Sequence, residues 1–252
     1  MSVAKKKAAE REGGGLYETV KVIIQALLIA LVIRTFLFQP FNIPSASMVQ
    51  TLLVGDYLFV SKYAYGYSRY SVPFGLIPMS GRVFSSEPER GDIAVFKLPS
   101  DNSTDYIKRV IGLPGDKIQV TDGVVYINDE PVQREQMSDY VETMANGREF
   151  RARRYRETLP NGVSYDVLDT DDNGLFDNTG VYNVPEGHFF MMGDNRDNST
   201  DSRAQNFVGY VPFENFVGRA EVIFFSIREE SPIWQVWNWP WAVRWDRIFD
   251  SL

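Results

Sequence analysis

The segment Asp105–Asp116 reads DYIKRVIGLPGD and carries the clearest fold signal in the chain. It begins with a run rich in aromatic and β-branched residues and ends at Leu113-Pro114-Gly115, a sequence typical of a turn. Four other runs of the same kind lie at residues 56–60, 92–96, 124–127 and 220–225. Short runs of this type, bounded by turn residues, predict a mainly β protein built from antiparallel β-sheets.

Lys108 lies inside this predicted strand. Because side chains alternate between the two faces of a strand, Lys108 shares a face with Tyr106 and Val110, and Arg109 points to the other face. A lysine on an apolar surface loses solvation, which disfavours its charged form and makes the amine a usable base. A surface lysine that extends its ammonium group into water is the simpler interpretation of this segment on its own.

Towards the N-terminus, Val22–Ile33 reads VIIQALLIALVI without a charge, and after Arg34 the apolar run continues to Phe38. A helix over residues 16–38 would be about 34 Å long, enough to cross a hydrocarbon core of about 30 Å. The segment is therefore predicted to be a transmembrane anchor. A cleaved secretory signal peptide and a buried core helix are the alternatives. Residues 1–15 are a basic tail, which the positive-inside rule places in the cytoplasm, so the chain after Phe38 would lie outside.

Composition excludes several classes of function. The 252 residues include 33 acidic against 26 basic ones, a net charge of -7, so no basic field is available to bind nucleic acid. The absence of cysteine excludes disulfides, thiolate nucleophiles and Cys-based metal sites. With His188 as the single histidine, a hydrolase with a histidine base must use that residue.

Residues 117–185 are more polar and richer in Arg and Asp than the flanking sequence, which predicts a second β lobe inserted into a β domain formed by residues 39–116 and 186–232. Within this lobe, Asp169–Asp177 matches most of an EF-hand calcium loop, but the twelfth position is Gly180 where the bidentate Glu belongs. An Asx-rich turn is the favoured interpretation, and no metal or other cofactor is predicted.

All five tryptophans lie in the last 19 residues, inside a segment that we call the Trp-rich tail, residues 233–252. Tryptophan favours the membrane–water interface, where its ring is buried and its N–H group stays hydrated. The tail is therefore predicted either to rest on the outer surface of the bilayer or to cover the β core as an aromatic plug.

Two more segments have the composition of a reactive site. Ser45 and Ser47 follow Pro44 directly, and in an extended segment their hydroxyls would share a face, so that one could attack and the other donate to an oxyanion. Serine pairs are also common turn formers without a function. The segment 193–203, GDNRDNSTDSR, is too polar for a core and indicates a hydrogen-bonded loop that supports a site.

Together these segments resemble bacterial type I signal peptidases, membrane-anchored serine proteases that remove signal peptides from exported preproteins. The matching stretches are Pro44–Leu52, Gly91–Phe96, Tyr106–Asp116 and Met191–Arg203, in this order behind an N-terminal anchor. The resemblance covers about residues 16–228 and is weakest in the inserted lobe; motif and context together make it specific.

The resemblance implies a Ser-Lys dyad in which Ser47 is the nucleophile and Lys108 the general base, a variant of the triad logic that needs no histidine. It implies an oxyanion hole from the backbone N–H of Ser47 and the hydroxyl of Ser45. A supporting role around the dyad is implied for Ser199, which would orient the lysine amine, for the ion pair of Asp201 with Arg203, and for Asp194. A Ser-His-Asp site on His188 is the competing arrangement, although no G-x-S-x-G motif surrounds any serine.

The resemblance also implies shallow apolar pockets for a small-x-small cleavage site, because such pockets reject larger side chains by clash. The implied pocket residues are Phe41, Ile43, Pro44, Met48, Leu52, Val95, Tyr106 and Ile107. Two positions depart from the family pattern: Gln50 stands where proline is usual, and Ala46 where glycine is common. The first affects the stiffness of the turn after the nucleophile, and the second predicts regular backbone there.

By this resemblance the expected partners are exported preproteins and the lipid bilayer, with the catalytic domain on the periplasmic side of the inner membrane. A narrow-substrate Ser-Lys processing peptidase, acting for example on a pilin or a conjugation factor, is one alternative. A non-catalytic, membrane-tethered adaptor for exported chains is another.

Overall fold

The computed structural model describes residues 3–71, 80–143, 149–171, 173–228, 231 and 233–252. Residues 144–148 and 172 of the predicted lobe, and 72–79, 229–230 and 232 of the predicted β domain, lie outside this part. The described strands, in chain order, are β1 Phe38–Asn42, β2 Asp56–Ser61, β3 Ile93–Lys97, β4 Asp105–Gly112, β5 Lys117–Thr121, β6 Val124–Ile127, β7 Glu130–Pro131, β8 Gln133–Gln136, β9 Tyr140–Thr143, β10 Glu149–Thr158, β11 Ser164–Asp169, β12 Tyr182–Asn183, β13 His188–Met192, β14 Val211–Pro212 and β15 Phe216–Ser226.

The N-terminal helix α1 spans Val3–Phe36, and its stretch Gly15–Phe36 is long and apolar enough to cross a membrane. None of the apolar stretch is buried in the protein, so the alternative of a buried core helix is wrong. The helix ends two residues before the predicted end of the anchor, because Phe38 already begins β1 and pairs with Ser61 of β2.

The main sheet has seven strands in the order β1-β2-β15-β3-β4-β13-β14. Every pairing between these strands is antiparallel, which confirms the predicted fold class. Strand β4 lies inside the sheet, with Lys108 opposite Ala94 of β3 and Arg109 opposite Met192 of β13. The backbone of Arg109 is thus paired on both sides, with β3 and β13, and the backbone of Lys108 is paired with β3, which limits how far their side chains can move.

Two four-stranded sheets are built from the segment between β4 and β13. One has the order β12-β5-β6-β7; the other has the order β11-β10-β8, with β9 also paired to β10. Buried side chains of these sheets, among them Ile118, Val125 and Val167, share one core cluster with Phe190 and Met192 of β13. The two smaller sheets therefore pack directly on the main sheet through apolar contacts.

The Trp-rich tail runs along β15 in short helical turns, including α2, Trp239–Ala242. Its backbone bonds to β15 at both ends: the Arg244 N–H donates to the Ser226 carbonyl, and the Ile223 N–H donates to the Asp250 carbonyl. Four of the five indoles are 60–78% exposed; these are Trp234, Trp237, Trp241 and Trp245. A buried aromatic plug would hide these rings, so the tail does not form one.

Candidate active site

Ser47 lies in a single 3₁₀ turn, Ala46–Met48, that follows the extended residue Ser45. The extended backbone predicted for this segment is therefore wrong from Ala46 onward. The turn forms because Met48 and Leu52 are drawn into the core beneath it, where both are fully buried, and the Leu52 N–H donates to the Met48 carbonyl at 2.8 Å. The hydroxyl oxygens of Ser45 and Ser47 nevertheless lie 3.3 Å apart, so they meet at one point as the sequence predicted.

The Lys108 amine meets the Ser47 hydroxyl across 61 residues of sequence, with the Nζ and Oγ atoms 2.6 Å apart. Nζ also donates to the Ile107 carbonyl at 2.9 Å. Lys108 is only 3% exposed, which excludes the surface-lysine interpretation. Its ammonium group lies 5.4 Å from the ring centroid of Tyr106, on the strand face where the alternation of side chains placed both residues.

Burial lowers the pKa of Lys108 from 10.5 to about 8, because the charged ammonium form loses its hydration. The negative charges of Asp201 and Asp194 act in the opposite direction and raise this pKa, and the positive charge of Arg203 lowers it further. At mildly alkaline pH a large share of the amines is neutral and able to accept a proton. The site therefore has a base matched to its hydroxyl.

Asp201 and Arg203 form a buried ion pair with two hydrogen bonds, Nε to Oδ1 at 2.9 Å and Nη2 to Oδ2 at 2.8 Å. Burial raises the pKa of Asp201, but the charge and hydrogen bonds of Arg203 outweigh it, and the net effect is a lowered pKa. The Gly193 N–H also donates to Asp201. A Cβ atom on Gly193 would lie 2.6 Å from the Ser47 carbonyl oxygen, so the ion pair holds a residue that packs directly against the serine.

Ser199 is buried beside Gly193, and its hydroxyl has no hydrogen-bond partner among the described residues. The hydrogen bond to Lys108 that the resemblance implied is thus not formed in this structure. Asp194 makes a bidentate ion pair with Arg109, at 2.9 and 2.7 Å, and accepts the Thr51 hydroxyl at 2.5 Å. Asp194 therefore links the strand of the lysine to the segment of the serine.

The predicted pocket residues separate into two groups. Ile43, Met48, Leu52 and Val95 are buried in one core cluster, and Phe41 and Ile107 pack against that cluster half-buried. Tyr106 belongs to the neighbouring cluster, and Pro44 is exposed. Of the half-buried residues, Tyr106 and Ile107 contact Lys108, the first through its ring and the second through its carbonyl; the pocket itself stays a prediction.

Sequence reasoning assigned no role to Asn195 or Thr51, although both lie in stretches that carried the family resemblance. The Asn195 backbone N–H donates to the Ser47 carbonyl at 3.1 Å, and its side-chain amide donates to the Ala46 carbonyl at 3.0 Å. These two bonds hold the backbone that carries Ser47. The polar character of the segment 193–203 was the available signal, but it did not distinguish Asn195 from its neighbours.

Two other sequence candidates lie apart from the dyad. His188 is at the start of β13 and shares a hydrogen bond with the Glu186 carbonyl, so it offers no base to Ser47. In the Asp169–Asp177 segment, Asp169 is paired with Arg134 and Arg153, and Asp177 accepts the Gly174 N–H. These carboxylates are occupied by protein donors, as in an Asx-rich turn.

The structure thus combines an apolar N-terminal helix with an antiparallel β-sheet that brings a buried serine and a desolvated lysine together, features that define a membrane-anchored protein with a candidate serine hydrolase centre. A sequence profile of "Signal peptidase, peptidase S26" matches residues 16–225, and the chain belongs to this family of serine proteases. Signal peptidase I of Rickettsia typhi is 46% identical over 243 residues, 90% of each chain.

A second relative agrees with this assignment. Signal peptidase I of Rickettsia massiliae is 41% identical over 263 residues, which covers 98% of this chain and 94% of the relative. A crystal structure of a signal peptidase I from Enterococcus faecalis is 25% identical and covers 53% of this chain and 97% of that chain, with a TM-score of 0.31.

Proposed function

We propose that this protein is the endopeptidase that cleaves signal peptides from exported preproteins after a small-x-small site, with Ser47 as nucleophile and Lys108 as general base. One observation carries the proposal: the Ser47 hydroxyl and the Lys108 amine are buried together with 2.6 Å between their oxygen and nitrogen atoms. The relatives named signal peptidase I support the substrate class.

The proposed chemistry proceeds through an acyl-enzyme. Ser47 Oγ attacks the scissile carbonyl carbon as its proton passes to the neutral Lys108 amine, and the resulting ammonium then protonates the departing amine nitrogen of the mature protein. A water molecule next attacks the ester, with Lys108 again accepting the proton, and Ser47 is regenerated. The lowered pKa of Lys108, about 8, supports its role as the base in both steps.

The oxyanion of each tetrahedral intermediate is proposed to bind the backbone N–H of Ser47 and the hydroxyl of Ser45. The 3.3 Å separation of the two serine oxygens supports this assignment, because a carbonyl carbon attacked by one hydroxyl brings its oxygen close to the other. The half-buried surface of Phe41, Tyr106 and Ile107 would accept the small side chains of the cleavage site. Supporting roles remain assigned to Ser199, Asp201, Arg203 and Asp194.

The proposed topology places the N-terminus in the cytoplasm, α1 across the inner membrane, and the dyad on the outer side, where the cleavage site of an exported chain emerges. We also propose the division into a β domain of residues 39–116 and 186–232 and a second lobe of residues 117–185. Anchoring enzyme and preprotein in one bilayer raises their effective concentration, which supports selection of membrane-bound substrates.

The dyad is tested with Ser47→Ala and Lys108→Ala in the full-length protein, assayed on a preprotein that ends its signal in Ala-x-Ala. Each change is expected to lower kcat/KM by about 10³-fold or more. Ser103→Ala and Lys117→Ala are matched controls at exposed positions and should retain activity. Full activity in either dyad variant would refute the assignment, and stable binding of the preprotein by the wild-type protein without turnover would favour an adaptor.

The membrane contact of the Trp-rich tail has its own test, because the tail holds every tryptophan of the chain and intrinsic tryptophan fluorescence reports on it alone. In proteoliposomes, lipids brominated near the headgroup are expected to quench this fluorescence, since four exposed indoles would lie in the interface. Fluorescence that the brominated lipids leave unchanged would show that the tail stays in water.

A further inference from the structure

The segment Thr51–Asp56 follows the 3₁₀ turn Ala46–Met48, which we call the nucleophile turn. Two arginines of the Trp-rich tail bind this segment. We propose that Arg244 and Arg247 are positioning residues for Ser47: they act through this segment and set the alignment of the nucleophile with its base. The proposal rests on the proposed function, in which Ser47 is the nucleophile. No substrate contact is assigned to either arginine.

Arg247 makes the closer contacts. Its guanidinium donates to both carboxylate oxygens of Asp56, at 2.6 and 3.2 Å, and to the Thr51 carbonyl at 2.9 Å. Arg244 donates twice to the Val54 carbonyl at 3.1 Å, and its Nη1 lies 3.6 Å from an Asp56 oxygen. Two side chains of the tail therefore bind two backbone carbonyls, of Thr51 and Val54, and the carboxylate of Asp56.

Asp56 is the centre of this junction and is completely buried. Besides the arginines, it accepts the Leu53 N–H at 2.8 Å and the Ser226 hydroxyl at 2.6 Å. A buried carboxylate with this many donors depends on its cationic partner, and loss of the partner leaves an uncompensated charge that must draw in water or move. Displacement of Asp56 would pull the segment with it.

The segment transmits such a displacement to Ser47 because the residues between them are tightly packed and hydrogen-bonded. Leu52 and Met48 are fully buried in one core cluster and joined by a backbone hydrogen bond, and Met48 is the residue after the nucleophile. Thr51 is held at the same time by Asp194 on the opposite side. The nucleophile turn is thus supported both by the loop of residues 193–203 and by the tail. Removal of either set of contacts leaves it supported from one side.

The tail has backbone attachments of its own besides the two guanidinium groups, of which Arg244 also donates to the Ser226 hydroxyl of β15 at 3.2 Å. The tail is already attached to β15 and the residues around it by backbone hydrogen bonds, including those donated by Ile223, Phe249 and Leu252. The isolated bridges of Val222 with Ser251 and of Ile227 with Val243 add to this attachment. The guanidinium groups are therefore available for the nucleophile segment, which argues for a positioning role beyond a purely structural one.

The test compares Arg247→Gln, Arg247→Lys and Arg244→Gln in the full-length protein, with the exposed Arg228→Gln as control. Arg247→Gln is expected to lower kcat by about 10- to 100-fold, because small misalignments of reacting groups are costly in rate. KM should stay within about 2-fold, since the substrate surface is untouched. Arg247→Lys should recover part of kcat by restoring the charge beside Asp56, and Arg244→Gln should have the smaller effect.

The fraction of folded protein is measured by thermal melting at the assay conditions, and kcat is expressed per folded molecule. Unchanged kcat in Arg247→Gln, a loss that disappears after this correction, or a rise in KM with normal kcat would each overturn the positioning role. A double variant with Asp56→Asn should be no slower than the slower single variant, because the pair acts as a unit; additive losses would contradict this. Ser47→Ala, assayed in parallel, reports separately on the proposed function.

Discussion

Lys108 in β4 and Lys62 directly after β2 are two buried lysines, and their environments differ in one decisive respect. Burial lowers the pKa of both from 10.5 to about 8. Lys108 faces the Ser47 hydroxyl, whereas Lys62 donates to the backbone carbonyl of Ser71 at 2.6 Å. A carbonyl oxygen has no proton to give. A desolvated lysine is therefore a potential base only where its partner can be deprotonated, and the pKa alone does not identify the catalytic residue.

The surroundings of Lys62 reinforce this difference. The hydroxyls of Ser68 and Ser71 are both buried, but each accepts a backbone N–H, from Tyr70 and Ser68 respectively. Both serines thus serve a local turn. After burial, the largest influence on the pKa of Lys62 is the positive charge of Arg34, which lowers it, and Asp105 raises it. Lys62 therefore belongs to the junction between the anchor and the sheet.

The largest expected effect separates the two lysines by activity. Lys108→Met should lower kcat/KM on a signal peptide by about 10³-fold or more, because it removes the proposed general base. Lys62→Met, a change of the same size at an equally buried position, should leave kcat/KM per folded molecule within about 2-fold of the wild type. Comparable losses in both variants would mean that burial, and not the serine partner, sets the role of Lys108.

The next effect concerns pH. In the wild type, kcat/KM should rise about tenfold per pH unit below an apparent pKa of about 8 and then level off, because Lys108 must be neutral to act. The rising limb of the plot of kcat/KM against pH should be the same in Lys62→Met. A limb near the pKa of a free lysine, or a limb that moves in the Lys62 variant, would contradict the assignment of the base.

A smaller effect on this limb should distinguish the carboxylate near Lys108 from the carboxylate near Lys62. The charge of Asp201 raises the pKa of Lys108, so Asp201→Asn should move the limb to lower pH. The charge of Asp105 raises the pKa of Lys62, and Asp105→Asn should leave the limb in place. The profiles should be recorded well below each variant's melting temperature, since Asp201→Asn also leaves the buried Arg203 unpaired. An equal shift in both variants would show that the limb reports a general charge effect.

The smallest effect is on stability. Between pH 8 and 10.5 an unfolded lysine keeps its proton while folded Lys62 loses it, so unfolding takes up a proton and the free energy of unfolding increases with pH. Below pH 8 the folded state bears the full cost of a buried charge. Lys62→Met lacks this cost, so its melting temperature relative to the wild type should be higher at pH 7 than at pH 10, by about 5–10 °C, since one pKa unit is worth about 1.4 kcal/mol and each kcal/mol about 2–4 °C. A difference independent of pH would indicate that Lys62 is not desolvated.

Much of the fold was predictable because its signals are local. The runs at residues 56–60, 92–96, 124–127 and 220–225 all lie in or overlap strands β2, β3, β6 and β15, and the uncharged run before Arg34 lies in α1. The exact turn at Ser47 was not predictable, because the burial of Met48 and Leu52 beneath it overrides the extended backbone that the local sequence favours. The tail was located by its tryptophans, yet its arginines escaped notice because nothing near them in sequence indicates Asp56.

The sequence by itself determined the class of protein: an apolar anchor, a β protein, and the serine and lysine motifs by which it resembles the signal peptidases. Those properties depend on residue type and spacing within a few turns of chain. Only the tertiary structure decided which buried lysine meets a hydroxyl, that Asn195 and Asp194 hold the serine segment, and that Arg244 and Arg247 reach it from the tail. Such contacts join residues 61 to 196 positions apart, and they form only when sheet pairing and core packing bring those residues together.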